Sequence, residues 1–491
     1  MSITRALARH AAERPDAPAL TCEGESLTYA ALDALVGRIA AFFAAAPAGG
    51  IALDLSNGAA LAVLFLAAAR AGREGQVLDP AWPAALRAEV IGKIRPGLIV
   101  ASRPGDGLEL PPDQGLAGLA EALGAKGGGR VPEPDADLAF YVGFTSGSTG
   151  MPKGYRRSHR SWTASFDADT AEFGIGADDV LLAPGALTHS LFLYALARGL
   201  DAGAHVILAR AFRPRAVVEL ARRHKASVLY GVPTQLALLL EVLEADGLRL
   251  ENPLASLRLV LCSGAKWPQG RRAALRRLLP KADFAEFYGA SELSFITVAN
   301  MREEVPEGSV GRPFHTVKMS IVDRAGRPLP AGRTGLVFVE SPFLFMGYAT
   351  GESDDLIRHG AALSVGDMGV MDGRGFLTLV GRAKRMIVTS GKNLYPEEVE
   401  RLLETHPAIR AAAVLGVPDG LRGERLVAFL SLEAGAQVGQ AELIAFLKPR
   451  LPLFKVPRRY ARVADWPLTA SGKTDFSAVA RLWPDQCEGI A

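Results

Sequence analysis

Residues 144–154 read Phe-Thr-Ser-Gly-Ser-Thr-Gly-Met-Pro-Lys-Gly. Gly147, Gly150 and Gly154 stand around a single lysine, Lys153, and Thr145, Ser146, Ser148 and Thr149 add hydroxyls. Glycine lets the backbone approach an anion closely and take positive φ. Successive N–H groups, hydroxyls and one ammonium then form a phosphate cradle. This is not a Walker A loop, which places Ser or Thr directly after the lysine; here Gly154 follows Lys153. A solvated loop draws on the same residue types, but not at this density around one cation.

Outward from the loop, apolar segments alternate between strand and helix lengths. Residues 139–144 predict a strand that runs straight into the loop. Residues 97–101, 180–183, 205–209, 227–230 and 257–263 predict further strands, and 59–71 and 214–225 predict helices. Such alternation indicates parallel sheets with crossover helices. Residues 120–137, rich in Gly and Pro, predict a flexible connection. From about residue 310 the pattern changes. Segments 317–322, 335–339 and 376–380 are β-rich and separated by turn residues, which predicts an antiparallel or barrel-like region. Residues 393–405 predict a helix whose first turn, Pro-Glu-Glu, suits the helix dipole. Strands over 411–417 and 426–432 and a helix over 441–451 complete a C-terminal α+β unit.

Composition narrows the class. The chain has 491 residues, 49% hydrophobic and 22% charged, which fits a core-forming globular protein of several domains. A net charge of +3 argues against a dedicated nucleic-acid binder. Cys22, Cys262 and Cys487 are far apart and odd in number, so neither a disulfide framework nor a metal cluster is expected. The apolar run 58–69 ends at Arg70 and is too short to span a bilayer; we expect a buried helix there, and a cytoplasmic protein.

Four more segments carry chemistry. Residues 288–292, Tyr-Gly-Ala-Ser-Glu, offer a ring, a tight turn, a hydroxyl and a carboxylate of the kind Mg²⁺ prefers beside phosphate oxygens. Residues 364–369, Ser-Val-Gly-Asp-Met-Gly, put Asp367 on a turn where it could accept both ribose hydroxyls. Residues 381–400 lead a cationic strand edge into a Gly-Lys turn and a helix. Residues 468–475, Leu-Thr-Ala-Ser-Gly-Lys-Thr-Asp, hold Lys473 on a glycine turn.

In this order and spacing the segments resemble the acyl-adenylate-forming (ANL) superfamily, which includes acyl-CoA synthetases, peptide-synthetase adenylation domains and luciferases. The resemblance runs from near Thr4 to Asp475. It implies an α/β fold: a large N-terminal domain of parallel sheets with flanking helices and a β-barrel-like subdomain, residues 1–381, and a small mobile α+β C-terminal domain, residues 382–491. It implies ATP, Mg²⁺ and CoA as reactants and cofactor. A carboxylate attacks the α-phosphate of ATP, and a thiol then takes the acyl group. By position, Thr145, Ser146, Gly147, Ser148, Thr149, Gly150 and Lys153 would hold phosphates, with Thr145 also counted among the catalytic groups. Gly264, Ala265, Tyr288 and Gly289 would surround adenine. Ser291 would touch the α-phosphate, Glu292 would hold Mg²⁺, and Asp367 with Arg382 would take the ribose. Lys473 would bridge the carboxylate and the α-phosphate, Lys384 would be the hinge, and Gly391 and Lys392 would line the thiol tunnel.

His189 matches a position that lines the acyl pocket in CoA ligases and is counted as catalytic. Tyr230, Val232, Gly289, Ser294 and Phe295 complete the expected pocket. Amino-acid-activating relatives place an aspartate near His189; residues 189–194 here, His-Ser-Leu-Phe-Leu-Tyr, contain none. An unpaired ammonium would be costly there, so an aryl or aliphatic acid without an α-amino group is expected. An acyl carrier protein is the alternative acceptor, and a homodimer is left open.

Overall fold

The computed structural model describes residues 1–103, 107–110, 115–124, 131–145, 151–245, 252–264, 267, 272–300, 302–323, 325–351, 356–389, 392–419, 423–468, 474–483 and 488–490. The strand expected to enter the glycine loop is Ala139–Thr145. It pairs in parallel with Gly75–Val77, and the sheet continues through Ile51–Asp54, Leu98–Ala101 and Leu108–Glu109. On its other edge it pairs antiparallel with Lys153–Ser158, and that strand with Gly347–Tyr348. The two strands that flank the glycine loop are therefore antiparallel neighbours, and Thr145 faces Lys153 across the register. The apolar run forms the helix Ala59–Arg70, buried from Leu61 to Ala69, as expected of a helix apolar on every side.

A second sheet of nine strands has six parallel strands at its centre: Asp283–Ala290, Leu259–Cys262, Val228–Gly231, Val180–Ala183, His205–Leu208 and Pro18–Cys22. The inner four, from Leu259–Cys262 to His205–Leu208, are buried almost throughout, which is why they read as nearly unbroken apolar runs. Ser294–Asn300 and Arg312–Pro313 extend one edge antiparallel, and Glu25–Thr28 closes the other. One core runs between the two sheets and includes Phe65, Tyr141, Trp162, Tyr194 and Phe295.

The β-rich region is a six-stranded antiparallel sheet built on Gly335–Glu340, which pairs with Lys318–Val322, Ala362–Ser364 and Asp367–Met371; Leu377–Arg382 pairs with the last of these. From Ile387 the chain makes a separate core with Val399, Leu403, Val414, Leu430 and Leu447. Its sheet centres on the hairpin Ile409–Asp419 and Gly423–Leu432, flanked by the helices Pro396–Leu403 and Gln440–Leu447. The helix predicted to begin at Asn393 starts at Pro396, because Lys392–Leu394 pairs as a strand with Ile387–Thr389. Among the described residues no helix is long and apolar enough to cross a membrane.

Candidate active site

The hairpin Asp283–Ala290 and Ser294–Asn300 presents the Tyr-Gly-Ala-Ser-Glu segment at its tip. Gly289 is required at the crossing: a Cβ there would lie 2.2 Å from the carbonyl oxygen of Ser294. Ser294 itself adopts φ +59°, the left-handed region that side-chain-bearing residues rarely enter. The ladder shifts register between Tyr288 and Gly289, and this aims the turn 291–293 out of the sheet. Neighbours fix that turn on several sides. The Glu292 carbonyl accepts the Phe345 N–H at 2.9 Å, and Glu292 Oε1 accepts the Tyr348 hydroxyl at 2.8 Å. Arg157 Nη1 donates to the Ser291 carbonyl at 3.2 Å.

Tyr288 reaches across 79 residues of sequence to Asp367, its hydroxyl donating to Oδ2. Asp367 begins its strand directly opposite Arg382, whose Nε donates to Oδ1 at 3.0 Å. Burial and the neighbouring carboxylate hold the Tyr288 phenol well above its ordinary range, so it stays a donor. Asp367 in turn raises the Arg382 pKa. The Asp367 side chain is 8% exposed and that of Arg382 62%, so the pair runs from the interior to the surface. A carboxylate keeps about four lone-pair sites, and Asp367 can still accept from a ligand.

The base of the glycine hairpin meets the same region. Lys153 Nζ lies 5.9 Å from the centre of the Tyr348 ring. The Gly154 N–H donates to Thr350 Oγ1 at 2.9 Å, and the Ala349 N–H to the Gly154 carbonyl at 2.6 Å. Two sets of contacts, Lys153 with Tyr348 and Glu292, and Tyr288 with Asp367 and Arg382, thus meet on the one hairpin tip 288–292. Ser146, Gly147, Ser148, Thr149, Gly150, Ala265, Gly391 and Lys473 lie outside the described residues. The stem of the Lys473 turn is described: Leu468 bridges Thr474, and Trp466 Nε1 donates to Thr474 Oγ1 at 3.1 Å.

His189 caps the helix Ser190–Ala202, its Nδ1 accepting the Leu191 N–H at 3.3 Å. That bond leaves Nε2 to carry the proton of the neutral ring. Asn57 holds the preceding loop, donating to the Ala209 carbonyl at 2.7 Å and accepting the Leu187 N–H at 2.8 Å. Two expected pocket residues sit deeper than a pocket wall requires. Tyr230 is fully buried, and its hydroxyl donates to Asp169 Oδ2 at 3.3 Å. Phe295 packs among Phe287, Tyr194 and Phe314 with ring centres 4.7–5.4 Å apart. Val232 and Ser294 are half-buried, and a Cβ on Gly264 would meet Val232 at 3.5 Å.

Lys384 lies in the 3₁₀ turn Ala383–Arg385, which links the antiparallel sheet to the C-terminal core. Its neighbour Arg385 bonds Glu397 at 3.0 Å and Glu400 at 2.6 Å, and stacks 3.6 Å from the Phe476 ring centre. Lys392 stands 4.8 Å from the Phe454 ring centre, in a pocket of about 380 Å³ shared with Thr389, Arg425, Leu453 and Arg458. The sequence reading missed Arg157, Tyr348 and Asn57. Only the strand register, which sets Arg157 opposite Tyr141, separates it from its surface neighbour Arg156.

Comparison with known proteins agrees with this geometry. The family model described as AMP-binding enzyme matches residues 7–349, and that described as AMP-binding enzyme C-terminal domain matches 398–473. An uncharacterized acyl-CoA ligase of Bacillus subtilis is 36% identical over 98% of both chains. A fatty acid–acyl-carrier-protein ligase of Streptomyces coeruleorubidus is 30% identical over 98% of this chain and 96% of its own. The ATP-bound structure of MatB from Rhodopseudomonas palustris superposes with a TM-score of 0.86 at 25% identity, covering 99% of each chain.

Proposed function

The chain belongs to the AMP-binding enzyme family, and on that premise we propose that it is an AMP-forming acid–thiol ligase acting on a carboxylic acid without an α-amino group. The observation that carries the reading is that the hairpin tip 288–292 holds Glu292, joined to Lys153 through Tyr348, and Tyr288, joined to Asp367 and Arg382. It supports a phosphate cation, a carboxylate and a ribose-type acceptor acting around one tip. In the first step the acid's carboxylate oxygen attacks the α-phosphorus of ATP, and the bond to the leaving pyrophosphate breaks. In the second, a thiolate attacks the acyl carbon and AMP leaves.

Asp367 accepts from the ribose, and the Tyr288 ring packs on adenine with Gly264 and Gly289. Lys153 and the glycine loop, with Thr145, neutralise the β- and γ-phosphates. Among the described residues no group of three or more His, Cys, Asp or Glu could hold a metal ion. Glu292 alone fits a Mg²⁺ completed by substrate phosphates and water, which is how that ion is usually held. Mg²⁺ would supply charge neutralisation on the phosphates. Near the acyl pocket Asp169 is already neutralised by Arg198 at 2.6 Å. It therefore offers nothing to an α-ammonium, and its engagement supports an acid without that group. We place the domain boundary at residues 381 and 382 with Lys384 as hinge, and the protein in the cytoplasm.

CoA is the acceptor this reading favours. The pocket at Lys392 presents Arg425 and Arg458 beside the Phe454 ring, and Arg425 Nε has no hydrogen-bond partner among the described residues. Cations around an aromatic ring suit a phosphate-bearing nucleotide. The double variant Arg425→Ala, Arg458→Ala is expected to raise KM for CoA about 10-fold or more, with CoA-free pyrophosphate release unchanged. The carrier-protein ligase among the relatives supports a second reading, in which a phosphopantetheine arm is loaded. Under it the same variant leaves transfer to a carrier as it was. The decisive assay is pyrophosphate release from ATP and Mg²⁺ across aryl, short-chain and medium-chain acids, with and without CoA. Acid-dependent release followed by a CoA thioester carries the proposal. Release that CoA leaves untouched shifts the acceptor to a carrier, and no release with any acid removes the reading.

A further inference from the structure

Of the two arginines fully buried among the described residues, Arg157 is the one left with unpaired donors. Its side chain is 1% exposed, and Nη1 donates to the Ser291 carbonyl. Nε and Nη2 have no hydrogen-bond partner among the described residues. The other fully buried arginine, Arg198, spends Nε on Asp169 and Nη2 on Thr170 and the Ile175 carbonyl. Buried N–H donors are nearly always paired, and an unpaired buried cation is costly. The two unpaired groups of Arg157 are neighbours on one edge of the guanidinium. Those parallel N–H bonds match the two oxygens of a carboxylate or sulfonate. Burial also lowers the Arg157 pKa to about 10, so the group is still charged at neutral pH.

The surroundings fix which oxyanion this edge faces. Lys153, Tyr155 and Arg157 alternate along one face of the strand Lys153–Ser158. Lys153 stands at the mouth of the glycine hairpin, and Arg157 is four residues deeper, roughly 13 Å away at the usual strand rise. The Tyr155 hydroxyl lies between them, 2.9 Å from the Tyr141 hydroxyl, and also reaches Ser190 and Ser291. Gly143 makes room for this pair: a Cβ there would lie 2.1 Å and 2.2 Å from the two phenolic oxygens. Ser190 follows His189, on the wall given to the acyl group. Phosphates held near Lys153 would be at one end of the row, and Arg157 is at the other, sharing Ser291 with the Tyr155 phenol that reaches Ser190.

We propose that the Nε–Nη2 edge of Arg157 seats a second acidic group on the acyl substrate, a carboxylate or sulfonate remote from the carboxyl that is activated. This rests on the acid-activating reading above and narrows its substrate class. The test uses matched pairs of acids, each an unsubstituted monocarboxylate and the same chain ending in carboxylate or sulfonate. Acid-dependent pyrophosphate release is measured with the wild type, Arg157→Gln and Arg157→Lys, after thermal melting has shown which variants fold. The wild type should favour the doubly acidic member of at least one pair by kcat/KM. Arg157→Gln should lower that ratio about 10²-fold, as loss of one partner in a buried charged hydrogen-bonded pair does, and Arg157→Lys should restore part of it. A wild type that prefers the unsubstituted member of every pair overturns the proposal even if neither variant folds. So does a preference that survives in Arg157→Gln, which would leave Arg157 as a support for the Ser291 turn or a partner of the adenylate phosphate. Absence of pyrophosphate with every acid strikes instead at the ligase reading beneath it.

Discussion

Replacing Lys473 with alanine is expected to slow acid-dependent pyrophosphate release about 10²-fold or more, the usual effect of removing one preorganised donor at a site of developing negative charge. The first half-reaction brings two anions together, a carboxylate and a triphosphate. On the proposed reading Lys153 and the glycine loop address the outer phosphates, and Glu292 adds negative charge of its own. The attacking oxygen and the α-phosphate therefore depend on a cation brought from elsewhere in the chain. The described residues on either side of Lys473 are held close together, by the Leu468 and Thr474 bridge and by the Asp475 N–H on the Pro467 carbonyl at 3.0 Å. On the proposed reading this short segment delivers one ammonium without ordering a long loop. The second half-reaction has no such clash of anions. Thioester formation from supplied acyl-adenylate and CoA should then stay within a few-fold of wild type, measured by single-turnover kinetics. Equal losses in both half-reactions would mean that Lys473 supports the domain rather than the chemistry.

Several of the parallel strands were legible because burial on both faces leaves no polar alternation to confuse them: Leu259–Cys262 and Val228–Gly231 are apolar throughout or nearly so, whereas Pro18–Cys22, Ile51–Asp54 and Gly75–Val77 went unread. The strand Lys153–Ser158 was not legible, since Lys-Gly-Tyr-Arg-Arg-Ser resembles a solvated segment. Its two adjacent arginines point to opposite faces, one paired with Glu74 at the surface and one buried against Ser291. No local property of the sequence tells them apart, because the sheet register decides it. The contact of Tyr288 with Asp367 was not expected: the family resemblance assigned one residue to adenine and the other to ribose, and nothing near either reports a partner 79 positions away. Tyr230 shows the reverse difficulty. A tyrosine at the end of a buried strand suits either a pocket wall or an internal hydrogen bond, and here its hydroxyl is held by Asp169.

That buried pair carries the other large effect. Asp169, on the helix His159–Phe173, and Arg198, on the helix Ser190–Ala202, are 0% and 1% exposed and lie 2.6 Å apart. Asp169→Ala would leave a guanidinium in the core with only Thr170 and the Ile175 carbonyl as partners. It would also leave the Tyr230 hydroxyl unpaired. Breaking a buried pair from one side costs about 3–5 kcal/mol, and the variant should lose stability on that scale. In a chain of several domains a single unfolding midpoint is not well defined. Hydrogen exchange along Ser190–Ala202 and Val228–Gly231 is the better reading, with protection expected to fall by about 10²–10³-fold where opening of this region controls exchange. The double variant Asp169→Leu, Arg198→Leu should recover much of the loss, because a buried pair exchanged for apolar residues of similar volume is often neutral. If it recovers none, the pair is not an isolated charge couple but a fixed part of the Tyr230 and Tyr194 packing. The position of Arg198 gives the pair a functional reach. Its helix begins at the His189 cap, so on the proposed reading a loosened Asp169 variant should also raise KM for the acid while KM for ATP, assigned there to Asp367 and the glycine hairpin, stays as it was.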